Sequence, residues 1–361
     1  SGLNLFNSAE FRLADQPGEY AAGNFNAEER IAAGYAQLEK NFGKSLSMIA
    51  GLRAENTQID YRGFQYNVDN NAVTPTTGNQ SYTDLLPSVN VRWEQTPNTI
   101  VRAAWTNTLA RPNYFDLMPY REISLEDNEL STGNPALKPT RAMNFDLMAE
   151  RYFENVGLLS AGLFHKRITD FIFNFTQFQA VDPVSGQTFS QISRPQNGPE
   201  ASLTGFEVAA QRQLDFLPGV LRHFGVYANY TFNESEVSGL DIEGRENEKL
   251  PLLGTARHSG NLSLSFDSRR FTARVAMNYQ SESLDAGEGG YNEDAFFDRW
   301  ADRRTDLDAN ATILLTSKSR FFIEANNLNN RPLRYYQGNR GRLMQDEFYG
   351  RRIQTGFKFD F

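Results

Sequence analysis

Apolar residues recur at every second position through most of this chain. Between Phe271 and Tyr279, one side collects Phe271, Ala273, Val275, Met277 and Tyr279, and the other Thr272, Arg274, Ala276 and Asn278. Phe224, Val226, Ala228, Tyr230 and Phe232 alternate in the same way with Gly225, Tyr227, Asn229 and Thr231. Leu307, Ala309, Ala311, Ile313 and Leu315 alternate with Asp306, Asp308, Asn310 and Thr312. Pro87, Val89, Val91 and Trp93 alternate with Ser88, Asn90, Arg92 and Glu94. Successive side chains of a β-strand point to opposite faces, so this period describes strands with one apolar and one polar side. It predicts strands at 30–40, 45–59, 82–95, 99–111, 140–153, 158–174, 201–214, 223–236, 252–267, 271–283, 303–316, 320–336 and 346–361.

The connections between these strands alternate in length. Short ones fall near 41–44, 96–98, 154–157, 215–222, 268–270 and 317–319. Long ones fall near 60–81, 112–139, 175–200, 237–251, 284–302 and 337–345. That rhythm belongs to an antiparallel transmembrane β-barrel, with short periplasmic turns and long extracellular loops. Residues 1–29 read as one more outer loop, and 30–361 as the strands with their turns and loops. Thirteen strands are an odd number, whereas single-chain bacterial barrels have an even one. An open sheet also leaves two edges that lipid cannot satisfy. The expectation is therefore a portion of a larger barrel, with further strands N-terminal to it.

Composition sharpens this picture. Aromatics make up 13% of the 361 residues, with 28 Phe and 15 Tyr, yet the mean hydropathy is −0.55. Apolar residues diluted one for one by polar ones give that combination. No apolar run approaches the roughly 20 residues of a membrane-spanning helix, which leaves a barrel open because its strands cross in roughly 9–11. The start, Ser1-Gly-Leu-Asn-Leu-Phe6, does not read as a signal peptide. Cysteine is absent, which removes disulfides, thiolate metal sites and a Cys nucleophile. The net charge of −8, without a basic stripe, argues against nucleic acid.

The polar faces carry Arg53, Glu55, Arg92, Glu94, Arg102, Asp146, Glu150, Glu207, Arg274, Asp306, Asp308, Glu324, Lys358 and Asp360. Such charges are expected to face the lumen, since at the bilayer midplane a basic side chain costs about 2–4 kcal/mol. Trp93, Trp105 and Tyr279 are candidate interface aromatics. The last strand alternates Phe357, Phe359 and Phe361 against Lys358 and Asp360. A terminal strand ending in Phe resembles the signal that outer-membrane barrels present to their assembly machinery.

Several segments resemble the C-terminal barrel of TonB-dependent receptors. These are Thr108-Leu-Ala-Arg-Pro-Asn-Tyr-Phe-Asp-Leu117, Gly133-Asn-Pro-Ala-Leu-Lys-Pro139, Glu324-Ala-Asn-Asn-Leu-Asn-Asn330 and the closing Gln354-Thr-Gly-Phe-Lys-Phe359. The resemblance extends over residues 30–361, and Glu126-Asp-Asn-Glu129 before the Gly-Asn-Pro motif gives it a Bacteroidota-like style. It implies an all-β fold, the last thirteen strands of a 22-stranded barrel around a plug. The plug, and the box gripped by TonB, have no counterpart in these residues. The implied activity is outer-membrane import of a scarce nutrient such as a siderophore, cobalamin, an oligosaccharide or a peptide. The implied partners are outer-membrane lipids and lipopolysaccharide, TonB through the plug, the assembly machinery at Phe361, and a surface lipoprotein. A passive porin-like channel and a surface adhesin are the alternatives.

Two segments carry candidate ligand chemistry. The loop 284–302 combines Asp285, Glu288, Glu293, Asp294, Asp298 and Asp302 with Tyr291, Phe296, Phe297 and Trp300. Its oxygens suit calcium and its rings suit sugars; the plainer reading is a solvated loop. Near the last loop lie Arg331, Arg334, Arg340, Arg342, Arg351 and Arg352 with Tyr335 and Tyr336. Arginines grip carboxylates or phosphates, but pairing with nearby acids explains them as well. Tyr291, Phe296, Trp300, Arg334, Tyr335, Tyr336 and Arg340 are thus the candidate ligand-binding set. His165, His223 and His258 lack metal-ligand spacing, Gly287-Glu-Gly-Gly290 lacks the Lys-Ser/Thr of a phosphate loop, and no Ser/His/Asp set is identifiable. Neither a cofactor nor an enzymatic reaction is expected.

Overall fold

The computed structural model describes residues 24–67, 72–124, 126–153, 157–240, 242, 244–245, 248–287 and 290–360. Strands β1 (Asn26–Phe42), β2 (Leu46–Asn67), β3 (Ala72–Thr96) and β4 (Thr99–Ala110) precede a short helix α1 (Tyr114–Leu117). Next come β5 (Arg121–Ser124), β6 (Glu129–Thr132), β7 (Thr140–Tyr152), β8 (Gly157–Thr169), β9 (Ile172–Val181) and β10 (Thr188–Asn197). Then follow β11 (Glu200–Gln213), β12 (Phe224–Ser238), β13 (His258–Asp267), β14 (Phe271–Gln280) and β15 (Ser283–Leu284). The chain finishes with β16 (Arg299–Ala301), β17 (Arg304–Thr316), β18 (Ser319–Asn326), β19 (Leu333–Gln337), β20 (Leu343–Glu347) and β21 (Arg352–Phe359).

One antiparallel sheet holds thirteen of these strands, in the order β1-β2-β3-β4-β7-β8-β11-β12-β13-β14-β17-β18-β21. Each expected strand has its counterpart there. Register carries a single polar face across the sheet. Asn229 lies opposite Asn261, Asn261 opposite Asn278, and Asn278 opposite Asp306. The asparagines form a ladder: Asn261 Nδ2 donates to Asn229 Oδ1 at 2.9 Å, and Asn278 Nδ2 to Asn261 Oδ1 at 2.5 Å. The opposite face puts Leu264 against Val275, Leu262 against Met277 and Phe321 against Phe357. Leu163, Val275 and Phe357 are at least half exposed, as side chains facing lipid should be. Trp93 shares that face, opposite Val101 and Leu46.

The ends of the sheet differ as expected. At one end, turns are tight; Gly43 takes a positive φ of 72° between β1 and β2, a conformation glycine adopts without Cβ strain. At the other end the structure corrects several boundaries. Most of 60–81 is strand, because β2 and β3 continue as one long hairpin instead of a loop. The strand expected at 158–174 ends at Thr169, where Asp170 turns at φ 56°. Residues 252–257 are not strand, and 320–336 breaks after Asn326, where Asn327 and Asn330 also take positive φ. The last strand begins at Arg352 instead of 346. After Asp170 and after Asn330 the chain returns to strand in another sheet, as β9 and β19, so local alternation gives no sign of the change.

The long connections are themselves folded. One four-stranded sheet runs β5-β6-β10-β9 and another β15-β16-β19-β20. Both lie toward the polar face. Ile59 and Tyr61 of β2 pack with Leu117, Met118, Tyr120 and Leu137. Ala201 and Val237 pack with Phe171, Phe173, Ile242, Leu250, Leu284 and Tyr291. Apolar residues that would otherwise meet water at the loop end are buried between loop and sheet.

Candidate functional site

The two quoted loop motifs serve as fasteners. In Gly133-Asn-Pro-Ala-Leu-Lys-Pro139, Asn134 Nδ2 donates to the Pro195 carbonyl at 2.9 Å, and its Oδ1 accepts from the Ala136 N–H at 3.1 Å. Gln80 Nε2 donates to the Leu137 carbonyl at 2.6 Å, and Asn197 Nδ2 to the Lys138 carbonyl at 2.9 Å. In Asn326–Asn330, Asn327 Nδ2 donates to the Gly350 carbonyl at 2.9 Å and Asn329 Nδ2 to the Thr305 carbonyl at 2.6 Å. Buried backbone groups at loop turns need such partners.

The structure brings the candidate ligand residues together. Arg299-Trp-Ala301 pairs with Tyr335-Tyr-Gln337, so the loop 284–302 and the last loop form one sheet. Trp300 stacks on Tyr336 with centroids 6.3 Å apart and planes 5° from parallel. Arg299 lies 4.3 Å from the Tyr335 ring centroid, and Arg342 lies 3.4 Å from that of Phe296. Tyr291 is fully buried and donates its hydroxyl proton to the Pro251 carbonyl at 2.9 Å. Burial raises the pKa of Tyr291, and raises that of Tyr336 to about 12. Phe296 is 48% exposed, with the Arg342 guanidinium over its ring.

Charges in this region are largely paired. Asp302 is met by Arg340 at 2.8 Å and by Arg334 at 3.9 Å. The Asp302 hydrogen bond raises the pKa of Arg340. Asp285 meets Arg299 at 3.2 Å and Arg331 meets Asp306 at 2.7 Å. Asp294 caps a short turn by accepting from the Phe296 N–H at 2.8 Å. Among the described residues no group of three or more His, Asp or Glu side chains is placed to hold a metal; Glu288 lies outside them, as does Phe361. The arrangement suits non-covalent recognition by aromatic faces and fixed cations.

Sequence reasoning missed two clamps. Arg245 is buried and donates to Asp298 Oδ1 at 2.8 Å and to the Asn292 carbonyl at 3.0 Å, which ties two loops together. Nothing local in the sequence pairs these residues. Arg121 grips Asp182 with bonds of 3.1 and 2.6 Å, and Ser185 N donates to the same carboxylate at 2.8 Å. Asp182-Pro-Val-Ser-Gly186 is a turn sequence that signalled a hairpin inside the expected loop.

A family model described as "TonB dependent receptor-like, beta-barrel" matches residues 2–328. Solved structures of similar fold include the ferric-catecholate import receptor Fiu from E. coli K12. That match has a TM-score of 0.66 at 14% identity, over 92% of this chain and 45% of that one. The ferric yersiniabactin uptake receptor FyuA from Yersinia pestis matches with a TM-score of 0.63 at 16% identity, over 93% and 46%. The copper transporter OprC matches with a TM-score of 0.66 at 13% identity, over 93% and 48%. The chain spans about half the length of these structures. No curated protein matches it.

Proposed function

Because this chain belongs to the TonB-dependent receptor β-barrel family, we propose that it forms the C-terminal wall and outer recognition loops of an active nutrient importer. It resides in the outer membrane, where a two-faced sheet satisfies lipid on one side and a wet interior on the other. The observation that carries the import reading is the family match over residues 2–328, and the inward packing of both loop sheets on the polar face adds a recognition surface. Loops folded there narrow the path and create a recognition surface, which a bare wall lacks.

In this reading the tight turns are periplasmic and the folded loops extracellular. The outer loop expected at 1–29 is shorter than that, because Asn26–Glu29 already belong to β1 and pair with β2; residues 1–23 lie outside the described residues. The outer edges of β1 and β21 join the strands that complete a 22-stranded barrel, since among the described residues β1 pairs with β2 alone and β21 with β18 alone. Phe296, Trp300, Arg334, Tyr335 and Arg340 form the recognition surface, with Tyr291 and Tyr336 as its packed floor. A plug contributed by the rest of the receptor couples to TonB, and Phe361 addresses the assembly machinery. The barrel performs no covalent chemistry. The import neighbours Fiu and FyuA support a transport role, and the ligand class stays wider than theirs.

Inward-folded loops also suit a passive channel, which is the second reading. Uptake of labelled ferric siderophores, cobalamin, oligosaccharides and peptides separates the two. Cells in which this receptor is the sole route should accumulate one class, and deleting TonB should abolish that accumulation. Accumulation unchanged without TonB would establish the passive channel instead.

A further inference from the structure

An opening of about 300 Å³ lies on one face of the β5-β6-β10-β9 sheet, and its lining residue Phe175 is bridged to Tyr291 of the aromatic region. Strand alternation builds it. Ile192, Arg194 and Gln196 share a face of β10, and register sets Gln177 beside Ile192 and Phe175 beside Arg194. Gln65 of β2 and Tyr120 complete the wall. The volume sits at the small end of ligand pockets, about 300–1,000 Å³.

The charges here do not cancel. Arg121 is neutralised by Asp182 in a two-pronged pair. Arg194 donates only to the amide oxygen of Asn134, at 2.9 Å, and no carboxylate pairs with it among the described residues. Arg194 is exposed, so its remaining N–H donors are open to solvent and to a ligand. The side-chain amides of Gln65, Gln177 and Gln196 also make no hydrogen bond among the described residues. In a chain of net charge −8, the cavity thus presents one guanidinium without a carboxylate partner beside an exposed Gln177 and the half-buried Gln65 and Gln196.

We propose that this cavity is a subsite for a single carboxylate on a ligand rich in hydroxyl or amide groups. Arg194 holds the carboxylate through paired N–H bonds, as guanidinium geometry favours. The glutamines take the neighbouring hydroxyls or amides, and Tyr120 and Phe175 supply an apolar wall. One net positive charge matches a monoanion better than a phosphate dianion. The role of the subsite in uptake rests on the import reading; binding by the purified protein does not.

The test uses the whole receptor in detergent and two monocarboxylate probes, galacturonate for acidic sugars and N-acetyl-trialanine for peptide ends. Controls are the methyl ester of the first and the amide of the second. Calorimetry should show at least one acid binding and its neutral control silent. The bound acid should also protect Arg194 from phenylglyoxal, read by mass spectrometry. Arg194→Gln should weaken that binding about tenfold, which is about 1.4 kcal/mol, and Arg194→Lys less. Should Arg194→Gln not fold, protection in the wild type and weakened binding by Gln196→Ala carry the test. Silence of both acids at millimolar concentration overturns the proposal. So does equal binding by the folded Arg194→Gln protein, or equal protection by inorganic phosphate. A receptor that binds an acid yet accumulates it without TonB would refute active import and leave the subsite standing.

Discussion

Gly133 shows how one residue fixes a loop. A Cβ there would stand 1.7 Å from the Met118 carbonyl oxygen, which is backbone and cannot swing away. Gly133→Ala should therefore displace 116–134 and cost at least about 1–3 kcal/mol, seen as faster limited proteolysis of the loops with the barrel intact. Asp182 acts through charge. Burial alone would raise its pKa, but hydrogen bonds from Arg121 and Ser185 outweigh that and hold it well below 3.8. A depressed carboxylate stabilises the fold above its unfolded pKa and loses that contribution only as pH falls through its folded value. Protection of the β9–β10 hairpin from hydrogen exchange should thus persist through pH 4 and fade only in stronger acid. Asp182→Asn should weaken it at neutral pH and remove the acid response. The glycine was legible within a recognisable motif. Its tight contact with Met118 was not, because that depends on where 118 returns.

At the scale of elements, strand faces are set by alternation and confirmed by register. Val275 and Ala276 are neighbours on β14, one half exposed on the apolar face and the other opposite Asp308. Val275→Arg should cost about 2–4 kcal/mol if it lies near the bilayer midplane and reduce the folded fraction in outer membranes, measured by heat-modifiable gel mobility. Ala276→Arg should be tolerated, because the new cation meets a carboxylate on the interior side. The Asn327 turn was legible as a motif, and its physical reason is now explicit. Asparagine tolerates positive φ and its amide fastens a second loop at Gly350. Strand ends were less legible. Asp170 ends β8 although residues 172–181 keep a strand's composition, so local sequence gave no sign that the next strand joins another sheet.

At the scale of the molecule, the loops are held to one another by a few buried polar clamps. Arg245→Met would leave Asp298 buried without its cation, at about 3–5 kcal/mol. Hydrogen exchange across 290–302 should rise while the thirteen-stranded sheet keeps its protection. The clamp joins residues 53 positions apart, so its partners become neighbours only after both loops have folded inward.

The sequence by itself determined the thirteen strands, their two faces and the unequal ends of the sheet, because alternation and turn chemistry are local properties written residue by residue. Tertiary structure alone decided which loops became sheets, which arginines were spent on Asp302 and Asp182, and which one, Arg194, was left facing a cavity. Those outcomes depend on distances between segments far apart in the chain, and the free energy of a charge is fixed by whichever partner packing brings within reach.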